Sequence, residues 1–295
     1  MISLKSGLSG VWRVRITQFA LHIMIVAVFC GVAQAVAAQP QRVASINLCS
    51  DQYLLALAKP DQVISVTWLA GDKNRSGEAA AAVGIPVNHG SAEEIARIAP
   101  DLVLADSYSD PNTVAMIRRL GIRVAVLPAP VDFAGIIDRV RRTATLLGNS
   151  ARGEDVIATI ESMIAPRKVP SGERQHVVAA IEPGFYTEGE GTLLDDAITR
   201  AGGIGLGRLL GLRGYATLPL EKLVAAPVDL VILSADGNRQ ASLSTKSLEH
   251  PALRNRLADV PRLILPPLLT DCPAPASAML VPMIHDALVS QRPAG

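Results

Sequence analysis

Two stretches of this chain repeat one phrase: SAEEIARIAPDLVLA at 91–105 and PLEKLVAAPVDLVILS at 219–234. In each, a glutamate (Glu93, Glu221) precedes an Asp-Leu-Val by eight residues, the aspartates being Asp101 and Asp229. Each phrase reads as a short amphipathic helix that passes a proline and enters an apolar strand. Writing it twice, 128 residues apart, predicts two lobes of similar build.

The surroundings of each copy support that reading. RVASIN (42–47), QVISVT (62–67), DLVLA (101–105) and RVAVLP (123–128) are β-rich runs separated by helix-period segments, including DQYLLALA and NTVAMIRRLG. Strand and helix alternating at this spacing predicts βαβ units and a mostly parallel sheet. From Asp132 to about Pro166 the alternation stops and only helical periods remain, broken at Gly148-Asn149. Asp132 and Ser150 are expected N-caps and Gly148 a C-terminal stop. A second helix of about 15 residues would reach roughly 22 Å, the length of a strut. After PRKVPSGERQ the alternation resumes with HVVAAIE (176–182), TLLDDAITRAGG, DLVILSA (229–235), ALRNRLA and RLILPP (262–267). A closing helix follows, with Pro282 expected to disturb it. The fold class is therefore α/β: two Rossmann-like lobes joined by a helical connector, with a ligand cleft between them. The expected boundaries are 39–131 for the N-terminal lobe, 132–168 for the connector and 169–295 for the C-terminal lobe.

Residues 1–38 differ in character. Lys5, Arg13 and Arg15 precede the apolar run FALHIMIVAVFCGVAQAVAA, which ends in small residues at Val36-Ala37-Ala38. This is the order of a cleavable secretory signal peptide, with a retained membrane anchor as the alternative. Phe29 places a bulky ring before Cys30, which argues against a lipoprotein. Cleavage after about Ala38 removes three of 28 basic residues and none of 27 acidic ones, leaving 25 against 27. No long basic run survives, which disfavours nucleic-acid binding. The expected location is the periplasm. There a disulfide is permitted, and two cysteines remain, Cys49 and Cys272. Both follow strands and can face the cleft. Free thiols, a disulfide and thiolate ligands to a metal all stay open. A bridge across the lobes would be expected to lock the cleft shut.

The glutamates have a plain structural reading. Ser91 with Glu94 fits a capping box, and Glu93 and Glu221 suit first-turn positions, where the helix dipole favours an anion by ~0.3–1 kcal/mol. Their matched placement asks for more. Two lobes, a connector and E-x-I/L-x₅-D-L-V in each lobe resemble the class III periplasmic substrate-binding proteins that serve ABC importers of cobalamin and ferric siderophores. The opening RVASINLCSDQYLLALAKPDQVISVTWLA is similar to that family's N-terminal signature, and the resemblance spans about residues 41–290. It implies that Glu93 and Glu221 dock into arginine pockets on the transmembrane permease, a charge-assisted pairing that is often bidentate. It also implies small lobe motion, a monomer, and ATP hydrolysis by the partner ATPase.

Aromatic residues are scarce, so their places matter. Trp68, Tyr108, Phe185, Tyr186 and Tyr215 fall in loops at or near strand ends, where parallel α/β sheets bind ligands. Flat rings on two facing walls suit a large, partly apolar guest. By the resemblance, Trp68, Tyr186 and Tyr215 lie at or next to positions where the family uses aromatics, and Asp271 matches a polar ligand contact. Tyr53, within a helix, is expected in the core. His89 is a candidate axial metal ligand, beside Cys49 and Cys272. The expected cargo is a metal chelate, cobalamin favoured over a ferric siderophore or haem, with no permanently bound cofactor. One departure bears on this: Pro275 stands where cobalamin binders place an arginine four residues beyond the Asp. Arg213 and Arg239 lie in expected cleft loops.

An exported enzyme or sensor on the same fold is the competing reading. The chain has no G-x-S-x-G elbow, no paired histidines at helical spacing and no Walker motif. AGGIGLGRLLG misses the dinucleotide spacing, and the glutamates of EGEGT would repel phosphate. The expectation is a binding protein, not an enzyme.

Overall fold

The computed structural model describes residues 39–169, 175–234 and 250–290. The expected signal peptide and its cleavage site lie outside them, as does Arg239. Among the described residues no helix is long and apolar enough to cross a membrane.

The first lobe runs β1 (Val43–Ser45), α1 (Leu48–Leu57), β2 (Val63–Thr67), β3 (Val87–Asn88), α2 (Ala92–Ile98), β4 (Leu102–Asp106), α3 (Pro111–Arg119) and β5 (Val124–Leu127). Its five strands are all parallel, in the order β3-β2-β1-β4-β5. Two long helices follow, α4 (Phe133–Leu147) and α5 (Ser150–Ile164), packed along each other. The second lobe runs β6 (His176–Ala180), β7 (Tyr186–Glu188), α6 (Leu193–Arg200), β8 (Gly203–Gly205), α7 (Leu206–Leu209), β9 (Tyr215–Thr217), α8 (Leu220–Ala225), β10 (Val228–Ser234), α9 (Pro251–Arg256), β11 (Arg262–Leu265), α10 (Pro267–Thr270) and α11 (Leu280–Val289). Its main sheet is parallel in the order β11-β10-β6-β8, with β7 and β9 forming a separate antiparallel ribbon. The fold is thus the expected pair of α/β lobes. The ribbon, β3, β8 and α7 go beyond the sequence reading.

The strands read as continuous apolar runs because both of their faces are buried. In β4, Leu102 and Leu104 point to one core and Val103 and Ala105 to another. In β6, Val178 and Ala180 face the first core, while Val177 and Ala179 face a third. The first core is shared: it runs from Val43 and Tyr53 through Phe133 and Ile160 to Ile232 and Ile284. The helices α1, α4, α5, α6 and α11 therefore form a common middle layer. Opening the lobes by a large hinge would expose this layer at about 25 cal/mol per Å² of apolar surface, which favours small motions.

Asp132 caps α4 by accepting the Gly135 amide at 2.7 Å, and Gly148 ends it in the left-handed region (φ 72°). Ser150 is instead the first helical residue of α5. The N-cap position belongs to Asn149, whose amide group is drawn to Leu57 O and Gln62 Oε1. Pro282 falls in the first turn of α11 and leaves it unbroken, because a proline there removes no intrahelical donor.

The repeated Asp has the same structural role in both lobes. Asp101, at the entry of β4, accepts the Gln41 and Arg42 amides at 2.7 and 3.1 Å, beside β1. Asp229, in β10, accepts the Val177 amide at 2.7 Å at the start of β6. In each lobe an aspartate satisfies the amide end of the neighbouring strand, as buried backbone donors require.

Candidate functional site

The carboxyl ends of the two sheets hold a cleft of about 260 Å³. Tyr108, Pro130 and Val131 line it from the first lobe, Glu188, Leu194 and Tyr215 from the second. Asp271 and Pro273 complete it from the segment that follows α10.

Tyr108 is held in the open by a tight turn. The buried Asp106 accepts the Tyr108 amide at 2.9 Å and the Asn47 side chain at 2.8 Å, and Ser109 returns its amide to the Asp106 carbonyl. Its ring is left 80% exposed. Opposite it, Tyr215 opens β9 and pairs with Glu188 of β7. Two glycines make this ribbon possible. A Cβ at Gly189 would lie 2.3 Å from Leu212 O, and one at Gly207 would lie 2.5 Å from Glu188 O. EGEGT and AGGIGLGRLLG are therefore close-packing backbone rather than failed phosphate loops. Tyr215 is 74% exposed. With the ring this exposed, the phenol is neutral near pH 7.

Glu188 is the residue that sequence reasoning missed. It is half-buried, and burial followed by the charges of Glu182 and Asp195 pushes it up to about 7. The only signal was its place after a strand. The ionisable residues that line the cleft are thus two phenols and two carboxyls.

The other candidates are placed less uniformly. Trp68 is 57% exposed and starts a 3₁₀ turn directly after β2, outside the lining of this cleft. Tyr186 is exposed at the start of β7, also outside the lining. Phe185 is a correction: it packs on the C-terminal lobe core, where the Leu218 amide meets its carbonyl at 2.7 Å. Its φ is positive, 59°. Tyr53 is fully buried, as expected. Arg213 approaches Glu190 at 3.7 Å.

Three consecutive residues are tied to the first lobe. Asp271 pairs with Arg75 at 2.9 Å, Cys272 is disulfide-bonded to Cys49 of α1, and the Pro273 carbonyl accepts the Tyr53 hydroxyl at 2.9 Å. The following turn, Pro275–Met279, packs on α1, α4 and α5. Of the three states open to the cysteines, the bridge is the one present, so neither sulfur offers a free thiol or a thiolate to a metal. The bridge also coexists with an open cleft, against the expectation that it would shut it.

His89 sits before α2, mostly exposed, with Nδ1 3.0 Å from Glu94. The same carboxylate accepts the His89 amide at 2.7 Å, and the imidazole contact together with this amide holds Glu94 below the usual carboxylate range. Glu94 therefore reaches past Ser91 to His89 rather than closing the expected capping box, although Ser91 does accept the Glu94 amide. Among the described residues no three His, Cys, Asp or Glu side chains converge to hold a metal ion.

Glu93 and Glu221 are both exposed, and both are the second residue of their helices, α2 and α8. Each helix leads into the strand carrying the repeated Asp. In a parallel lobe such a helix begins over the carboxyl ends of the strands, the edge that also bears the cleft.

The fold is a pair of parallel α/β lobes with a cleft lined from both. A family model described as periplasmic binding protein matches residues 43–257, and the chain belongs to that family. Its members are substrate-binding proteins of the periplasm that work with an ABC transporter permease and ATPase. No curated protein matches significantly. Among solved structures, the chain is similar to a periplasmic heme-binding protein from Roseiflexus sp. RS-1 in apo form. Identity is 23%, the TM-score is 0.64, and 84% of this chain and 99% of that one are covered. A possible iron-binding protein from Staphylococcus epidermidis ATCC 12228 aligns at 15% identity and TM-score 0.67, covering 85% and 99%. The periplasmic vitamin B12 binding protein of Vibrio cholerae aligns at 14% identity and TM-score 0.57, covering 86% and 99%. At these identities the likeness establishes the fold.

Proposed function

We propose that this protein captures a bulky metal chelate in the cleft, a corrinoid of the cobalamin type in preference to haem or a ferric siderophore, and delivers it to an ABC permease. One observation carries the reading: rings from opposite lobes, Tyr108 and Tyr215, border one cleft whose other ionisable lining is acidic. Flat rings supply apolar contact to a macrocycle at low entropic cost. The rim of a corrin carries primary amides, which donate hydrogen bonds that carboxylates accept. Haem propionates and anionic siderophores would meet Glu188 and Asp271 as like charges. A volume of about 260 Å³ is just under the usual range of about 300–1,000 Å³ for ligand pockets, so a corrinoid would be gripped on one side and project toward solvent. Cys49, Cys272 and His89 take no part. Trp68 and Tyr186 flank the cleft as outer contacts, and Arg213 is engaged by Glu190.

Export through a cleavable segment at 1–38 would place the receptor in the periplasm. Glu93 and Glu221 are the docking carboxylates, one per lobe. An exported enzyme or sensor on the same fold would not need Glu93 and Glu221, so their exchange for alanine separates that reading from transport. Calorimetric titration with cyanocobalamin, hemin and a ferric catecholate siderophore tests the cargo. Cyanocobalamin is expected to bind with a one-to-one stoichiometry and at least tenfold more tightly than either anionic chelate at pH 8. Binding of a ferric siderophore alone would overturn the corrinoid reading, and binding of none would remove the chelate class.

A further inference from the structure

We propose that Glu188 is the selectivity gate of this cleft, excluding anionic chelates when ionised and admitting them when protonated, while neutral chelates pass in both states. The inference rests on the chelate reading above and adds a residue and a pH dependence to it.

The gate follows from where Glu188 sits. It is paired across the ribbon with Tyr215, so its side chain and that ring share one wall of the cleft. The groups that face it are almost all acidic or neutral. Glu182 precedes the ribbon, Asp195 lies on α6, Tyr215 lies on β9, and Tyr108 and Asp271 border the same space from the other side. Among the described residues, the cations beside this wall are engaged elsewhere. Arg208 holds the buried Asp195 at 2.5 Å and approaches Glu190 at 3.9 Å, Arg213 approaches Glu190, and Arg75 holds Asp271. Neutralising partners are therefore spent on other carboxylates. Glu188 itself is held partly out of water. In that setting the ionised form is disfavoured, and the half-way point of about 7 puts the change within the physiological range.

The sign is fixed by linkage. Glu188 holds its proton in the folded protein up to about pH 7, so the anion-admitting form is complete well below that pH and is lost as pH rises through it. If only the protonated form admits an anion, the apparent Kd scales inversely with its fraction. Between pH 6 and pH 8 that fraction falls about tenfold for a group titrating near 7.

The test compares wild type with Glu188→Gln, using hemin as the anionic probe and cyanocobalamin as the neutral one, at pH 6 and pH 8. In the wild type, hemin affinity is expected to fall about tenfold over this interval beyond any fall in the variant, while cyanocobalamin affinity does not fall. In Glu188→Gln the pH 8 hemin affinity is expected to recover to the pH 6 value. An equal pH dependence in both proteins would overturn the gate. A separate readout needs no ligand: the carboxyl carbon of Glu188, followed by NMR, is expected to titrate near 7, and titration below about 5 overturns the gate whatever binds. Titration near 7 with neither probe bound would count against the chelate reading alone.

Discussion

Replacing Cys49 and Cys272 together by serine is expected to lower unfolding stability by about 3–5 kcal/mol, measured by denaturant titration of the oxidised wild type against the variant. The bond joins positions 223 residues apart, so it closes nearly the whole folded chain. Loop-closure entropy grows only logarithmically, and about 4.7 kcal/mol is already reached at 100 residues. The two flanking ties are weaker. Arg75–Asp271 is a partly exposed ion pair, worth about 0–1 kcal/mol. The Tyr53–Pro273 hydrogen bond contributes about 1 kcal/mol. The bridge should therefore dominate, and a fall below about 1 kcal/mol would mean that the packing of 275–279 on α1 and the long helices holds the segment by itself. Asp271 and Pro273 line the cleft on either side of Cys272. The same variant is thus expected to bind cargo less tightly as well as to unfold earlier.

Exchanging Glu93 and Glu221 together for alanine is expected to abolish uptake in a transport assay, by about 100-fold or more, while the affinity for cargo in solution changes less than about twofold. Both side chains are exposed at matching helical positions, so their removal costs the isolated fold little. Truncating one partner of a desolvated charge pair costs about 2–5 kcal/mol, and two such losses exceed the 1.4 kcal/mol that makes a factor of ten. The repeated aspartates give the control. Asp101 and Asp229 each cap the start of a neighbouring strand, so alanine there should lower stability and leave docking of the folded fraction intact. Equal loss of affinity and uptake in the glutamate variant would instead place these residues near the cargo, and full retention of uptake would remove them from docking.

The parts of the fold legible in the sequence are those governed by periodicity and caps. The strands at 102–105 and 230–232 are buried on two faces, which leaves a continuous apolar signature, and the long helices carry Asp132 and Gly148 where chain geometry demands them. What the sequence hides depends on long-range approach. The β7–β9 ribbon has three-residue strands, too short for any period, and exists because Gly189 and Gly207 let backbones touch. Phe185 and Tyr186 are adjacent and alike in sequence, yet the first packs against the core and the second is exposed. Glu94 was read by its spacing from Ser91, whereas an amide two residues earlier competes for it. The disulfide was one of three open states because its partners meet only after the chain returns from α10 to the first lobe. Glu188 was noticed only as a charge unsuited to phosphate, although that repulsion is its proposed use.

The most direct test of the account is a crystal structure of the protein with cyanocobalamin. The account predicts the corrin between Tyr108 and Tyr215, with its amide rim on Glu188 and Asp271 and the Cys49–Cys272 bridge intact. A corrinoid bound away from the carboxyl ends of the two sheets, with neither tyrosine in contact, would contradict it.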